Sequence, residues 1–411
     1  MTRGWPIGVL LCIATFISGC GGGGASGDSG NTPHVVVSAA GVVGGNVMPI
    51  VVDSGPAGGN SNSVNVPYVS VTICAPGTNV CQTVDHIIVD TGSTGLRFIA
   101  SALDQSILNA LPQRQINGVN LNECLNFVNS SIWGSIRTAD IQLAQESKIS
   151  SLAIQIIADP SYPTAPTSCT NLQKTVAAFG GNGILGVSVT QEDCGAACTV
   201  TTLHGSSNIY YTCSSSSINS CSNHSGIPLT SQLQNPVTQL AGDNNGIEIK
   251  LPSVPSSGAS VVNGYLVLGI NSQSNNQLSG TSYPLDSSGN LSVTYTNRNN
   301  QTNVYTGFLD SGSNALLFTD SITQCGGGIT GFYCPNPSLS LSVNINGNTL
   351  PLSIASASSL FTPGKTAFYN LAGPGIGSIS NEFDFGLSFF YGKNIFVGFD
   401  IASNPGPFVS F

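Results

Sequence analysis

The stretch His86–Ala100, HIIVDTGSTGLRFIA, runs an apolar β-branched segment straight into Asp90 and then turns through Thr91, Gly92 and Ser93. A lone turn would explain that pattern, since Asp, Gly and Ser are all turn formers. Carboxylate acid/base chemistry at moderate pH instead calls for a second carboxyl, because a pair with split pKa values can supply one acid and one base. The chain has that second copy at Thr306–Phe318, TGFLDSGSNALLF, with Asp310 at its centre, 220 positions downstream (310 minus 90). Both copies read apolar, apolar, Asp, hydroxyl residue, Gly, Ser, a two-residue gap and a new apolar run: Val89, Asp90, Thr91, Gly92, Ser93, Leu96 and Leu309, Asp310, Ser311, Gly312, Ser313, Leu316. Two copies so far apart point to duplicated lobes that share one site.

The elements that must position these residues are strands. At 411 residues the chain is long enough for two or three domains. Its Val, Ile and Thr runs are punctuated by Gly, Asn and Pro, with little sustained helical periodicity, so an all-β class is expected. Charged residues make up only 7% and the net charge is −9, which gives no basic footprint for nucleic acid. Ahead of the strands, MTRGWPIGVLLCIATFISGC has Arg3 before an apolar stretch and then Ile17, Ser18, Gly19 and Cys20. This resembles the bacterial lipobox, in which the cysteine is lipidated and becomes the first mature residue. The following GGGGASGDSGNTP reads as a flexible tether. Gly21 after the lipidated cysteine favours the outer membrane of a Gram-negative cell envelope.

Export decides how the cysteines are read. Without Cys12 and Cys20, ten of the twelve remain, an even number for an oxidising compartment, so disulfides are expected. Cys74 and Cys81 bracket a turn and Cys325 and Cys334 bracket a Gly-rich loop, which makes both pairs local bridges. Cys124 has Cys169 as one option, and Cys194, Cys198, Cys213 and Cys221 can pair among themselves; the connectivity of these six stays open. Their spacing is poor for zinc, and no metal is expected.

The two Asp motifs resemble those of the pepsin-like aspartic peptidases, bilobal all-β enzymes whose lobes are related by a pseudo-twofold axis and supply one catalytic Asp each. Residues 66–101 resemble that family's first hairpin and active-site loop. Gly183–Gly186, GILG, is similar to its first apolar-apolar-Gly string, and GYLVLGI at 264–270 to the strand that opens the second lobe. The segment 383–400 occupies the place of the second such string. The resemblance covers roughly 64–411 and implies this organisation: signal peptide 1–19; lipidated cysteine, tether and N-terminal segment 20–62; N-terminal β lobe 63–243 with a Cys/Ser-rich insertion near 190–226; C-terminal β lobe 244–411. The insertion is expected to be a disulfide-stapled surface excursion.

By the same resemblance Asp90 and Asp310 are the catalytic dyad. Thr91 and Ser311 bond across the lobes, Ser93 and Ser313 bond the outer carboxylate oxygens, and Gly92 and Gly312 allow the close backbone approach. The flap hairpin falls at 126–143. Phe127 stands where the family has a Tyr, with Trp133 as an alternative, and Arg97 replaces the usual Trp. The implied activity is a membrane-tethered aspartic endopeptidase that works as a monomer on polypeptide, with an activated water and no cofactor or nucleic acid. The sequence leaves open a second reading, a catalytically silent pepsin-like binding or structural surface lipoprotein.

Overall fold

The structure, a computed structural model, describes residues 34–57, 63–200, 209–214, 220–286, 288–375, 380–402, 404 and 406–411. The expected signal peptide, Cys20 and glycine-rich tether lie outside the described residues. Among these residues the chain forms two sheets, one of 17 strands and one of 7. The smaller sheet holds the second Asp motif. The larger holds the first, together with the strands that join the halves. The molecule is thus all-β, with one Asp motif in each sheet.

Local sequence explains the strands nearest the site. Ile87, Ile88 and Val89 are completely buried, the mark of a strand covered on both faces rather than one facing water. Cys81–Asp90 pairs in parallel with Gly183–Val187, with Leu185 opposite Val89 and Gly186 opposite Asp90. Gly183–Val187 also pairs antiparallel with Thr94–Ile99, with Leu185 opposite Leu96. The second half repeats this register. Thr302–Asp310 pairs in parallel with Glu382–Gly386, with Phe385 opposite Leu309 and Gly386 opposite Asp310. Leu316 lies on the other side of Phe385. Glycine is needed beside each Asp: a Cβ on Gly186 would sit 2.8 Å from the Ser93 backbone, and one on Gly386 2.1 Å from the Ala315 carbonyl.

Two parts of the chain are more integrated than their composition suggests. Val47–Val52, expected within the tether and N-terminal segment, alternates buried and open positions, and it lies between Val261–Leu268 and Pro67–Cys74. It is therefore a strand that ties the halves together, and Val36–Ser38 pairs with Val261–Leu268 as well. The expected disulfide-stapled surface excursion keeps its bridges, Cys194–Cys198 and Cys213–Cys221, but one stretch of it is no surface segment. Tyr210–Cys213 pairs with Val119–Asn126, and Tyr210 and Cys213 are completely buried. Aromatic side chains in a short β-prone run gain more from joining an open sheet edge than from water.

Candidate active site

Asp90 and Asp310 end parallel strands and meet where the halves touch. The loop after each Asp folds back so that its own donors reach the carboxyl. The Gly92 N–H donates to Asp90 Oδ1 at 2.8 Å and the Ser93 hydroxyl donates to Asp90 Oδ2. The N–H groups of Gly312 and Ser313 donate to Asp310 Oδ1 at 2.8 and 3.2 Å, and the Ser313 hydroxyl donates to Asp310 Oδ2 at 3.0 Å.

Between the loops the bonds are reciprocal. The Thr91 N–H donates to Ser311 Oγ at 3.1 Å, and the Ser311 N–H donates to Thr91 Oγ1 at 2.9 Å. Each hydroxyl then donates to the carbonyl ahead of the opposite Asp, Thr91 to Leu309 at 2.9 Å and Ser311 to Val89 at 2.7 Å. These four bonds hold two acidic loops together despite their charge. Gly92 permits the approach, because a Cβ there would sit 2.6 Å from Asp310 Cγ.

Both carboxyls are completely buried and close enough to shift each other's acidity. Burial pushes Asp310 well above the usual carboxylate range, and the charges of Asp90 and Asp384 add to it. Burial also raises Asp90, but bonds from Asp310, Ser93 and Gly92 and the positive charge of Arg97 oppose the rise. Two carboxyls buried this close resist ionising together, which favours a single proton between them. A carboxyl pair holding one proton can act as acid and base together.

The structure places the three expected flap residues differently. Arg97 borders the cavity beside Gly92 and Ser93, but its side chain is completely buried, donating to Glu123 at 2.7 Å, to Asp193 at 3.1 Å and to the Thr94 carbonyl at 2.7 Å. The Tyr210 hydroxyl donates to the same Asp193 at 2.7 Å, so the insertion helps to enclose this ion cluster. Trp133 packs against the Cys124, Tyr162, Cys169 and Tyr211 side chains, and its indole N–H donates to the Tyr162 carbonyl at 3.0 Å. It serves a side core rather than the cleft. Phe127 begins the turn between Val119–Asn126 and Ser131–Gln142 and is buried among apolar neighbours. The hairpin residue that lines the cavity beside Gly92 and Ser93 is Leu125. Period-two alternation from Phe127 puts Leu125 on the same face, a signal the sequence did carry.

Among the described residues five cysteine pairs lie at disulfide distance. The Cα separations are 4.0 Å for Cys74–Cys81, 5.9 Å for Cys124–Cys169, 5.7 Å for Cys194–Cys198, 4.0 Å for Cys213–Cys221 and 4.9 Å for Cys325–Cys334. The two shortest join residues directly opposite each other in antiparallel ladders. So many disulfides mark an exported chain.

One further carboxyl, which the motif spacing does not point to, is buried near Asp90 and Asp310. The second string is Asp384, Phe385, Gly386 rather than apolar-apolar-Gly, and Asp384 is completely buried. Burial pushes it well above the usual carboxylate range, partly offset by the Ser313 hydroxyl, and Asp90 and Glu382 raise it further. An acidic residue between two phenylalanines in a buried strand was the available signal.

A family model described as "protein of unknown function (DUF3443)" matches residues 43–411. No curated protein matches the chain. Among solved structures, the crystal structure of aspartic proteinase from Irpex lacteus is similar at 17% identity, over 89% of this chain and 96% of that chain, with a TM-score of 0.48.

Proposed function

This chain belongs to the family described as protein of unknown function (DUF3443), and we propose that it works as an aspartic-type endopeptidase, exported and tethered to the cell envelope through lipidated Cys20. The observation that carries this reading is the pair Asp90 and Asp310, buried together, joined through the reciprocal Thr91 and Ser311 bonds and each supplied with amide and hydroxyl donors by its own loop. In the proposed reaction the ionised carboxyl takes a proton from a water as the water oxygen bonds to the scissile carbonyl carbon. The protonated partner gives its proton to the carbonyl oxygen. The gem-diol then collapses, the C–N bond breaks, and the amine leaves with a proton returned by the dyad. Leu125, Leu285 and Phe308 line the cavity beside Gly92, a setting suited to an apolar substrate side chain.

The test uses the mature chain with Cys20→Ser, so that it stays soluble. It is expected to cleave unstructured polypeptides between about pH 3 and 6, where a dyad holds one proton. Asp90→Asn and Asp310→Asn should each lower kcat by roughly 10³-fold or more, and the double variant should lose no more than either single, because the two act as a unit. Folded protein that cleaves nothing across a broad peptide library would overturn the peptidase reading in favour of a silent binding lipoprotein.

A further inference from the structure

The duplicated register supplies an internal comparison at the position two residues before each buried glycine. In the first half that residue is Ile184, opposite Ile88. In the second half it is Asp384, opposite Phe308, which precedes Asp310 by two and therefore shares its face of the sheet. The Asp384 strand is clamped against the Asp310 loop, since the Leu387 N–H donates to the Ser313 carbonyl at 2.7 Å. Asp384 is completely buried, and the donor beside it, the Ser313 hydroxyl, is taken up by Asp310 Oδ2 at 3.0 Å. A carboxyl so placed favours its protonated form and resists sharing its surroundings with further negative charge.

We propose that Asp384 is a third member of the proton-sharing cluster, extending toward neutral pH the range over which Asp90 and Asp310 keep their single shared proton. The titratable groups acting on it are Asp90 across the lobes and Glu382 on its own strand, and Asp384 in turn acts on Asp310. Leu316–Leu317, the other strand paired with it, brings none. The cation in the cluster's field is Arg97, on the side of Asp90. As pH rises, the three carboxyls lose protons in turn. Once Asp384 is ionised, its charge opposes removal of the dyad's last proton, so the singly protonated dyad persists to higher pH. Asp384 acts through the dyad and touches no reacting atom in this scheme, so it is a positioning residue.

This inference rests on the peptidase reading for its kinetic test, but not for its spectroscopic one. In the kinetic test, Asp384→Asn should move the alkaline limb of the kcat/KM profile down by about one to two pH units, leaving the acid limb in place. Asp384→Leu, which removes the charge without supplying an amide, should move it by a similar amount. An alkaline limb that stays put or rises in either folded variant overturns the proposal. Infrared titration of the buried protonated-carboxyl band reads the same cluster without turnover. The wild type should keep that band to higher pH than Asp384→Asn, and equal midpoints overturn the proposal even if the protein cleaves nothing. Absence of cleavage with the infrared shift present would instead count against the peptidase reading alone.

Discussion

The Asp90 and Asp310 loops hold their carboxyls with the same kinds of donor, an amide from the glycine two residues on and the hydroxyl of the serine three residues on. Behind the loops the halves diverge. The first half places the buried Arg97 guanidinium in the field of Asp90, and the second places the Asp384 carboxyl in the field of Asp310. Duplicated backbone geometry thus brings two equal groups together, and unequal surroundings separate their acidities. The difference teaches that the loop motif governs position, while residues on neighbouring strands govern protonation.

The comparison breaks most readily at Arg97. Arg97→Met leaves Glu123 and Asp193 buried without their cation, a change expected to cost about 3–5 kcal/mol in stability. Chemical denaturation at pH 7 checks this, and a loss below about 1 kcal/mol would mean that the cluster is hydrated rather than enclosed. Acid should partly rescue the variant, because a protonated carboxyl is less costly to bury.

The second half should respond to pH in its own way. Asp310 has a folded pKa raised above its ordinary 3.8, chiefly by burial. A group raised in this manner contributes stability that is fully present below about pH 3.8 and is lost as pH climbs through its folded value. The wild type should therefore lose stability from pH 4 to 7. Asp310→Asn, which cannot ionise, should flatten that fall by about 1–3 kcal/mol. Melting temperatures across this range sharpen the comparison, and a variant with the wild-type slope would place the titrating groups elsewhere.

The smallest effect belongs to the Asp90 strand, four residues before Asp90 itself. His86 Nε2 lies 3.3 Å from Asp53 Oδ2, and bonding to Asp53 is the main cause that raises the His86 pKa above 6.5. Its contribution is fully present below about pH 6.5 and is lost as pH rises through the folded value. His86→Asn should cost less than about 1 kcal/mol at pH 6 and nothing measurable at pH 9, a difference that urea unfolding at the two values can resolve.

Much of the site was legible because its parts are local. Each Asp is held by residues two and three positions away, so the string Asp, hydroxyl, Gly, Ser spells out its own hydrogen bonds. Short disulfide loops are local for the same reason, as is the hairpin Leu339–Ile345 and Asn348–Ile354, whose Asn346-Gly347 turn has the positive φ values that those residues tolerate. Trp133 misled because position along a hairpin does not tell which face of it meets the cleft. Tyr210–Cys213 misled because a Ser-rich setting hid four residues that an open sheet edge could bury.

By itself, then, the sequence determined that two carboxyls would be presented alike by two copies of one loop, since donors within three residues need no distant partner. Tertiary structure decided what those carboxyls face. Arg97 finds Glu123 and Asp193 at separations of 26 and 96 residues, and Asp384 comes beside the Asp310 loop only through strand register. Charge acts through space with a strength set by burial, and neither distance nor burial is written in the spacing along the chain.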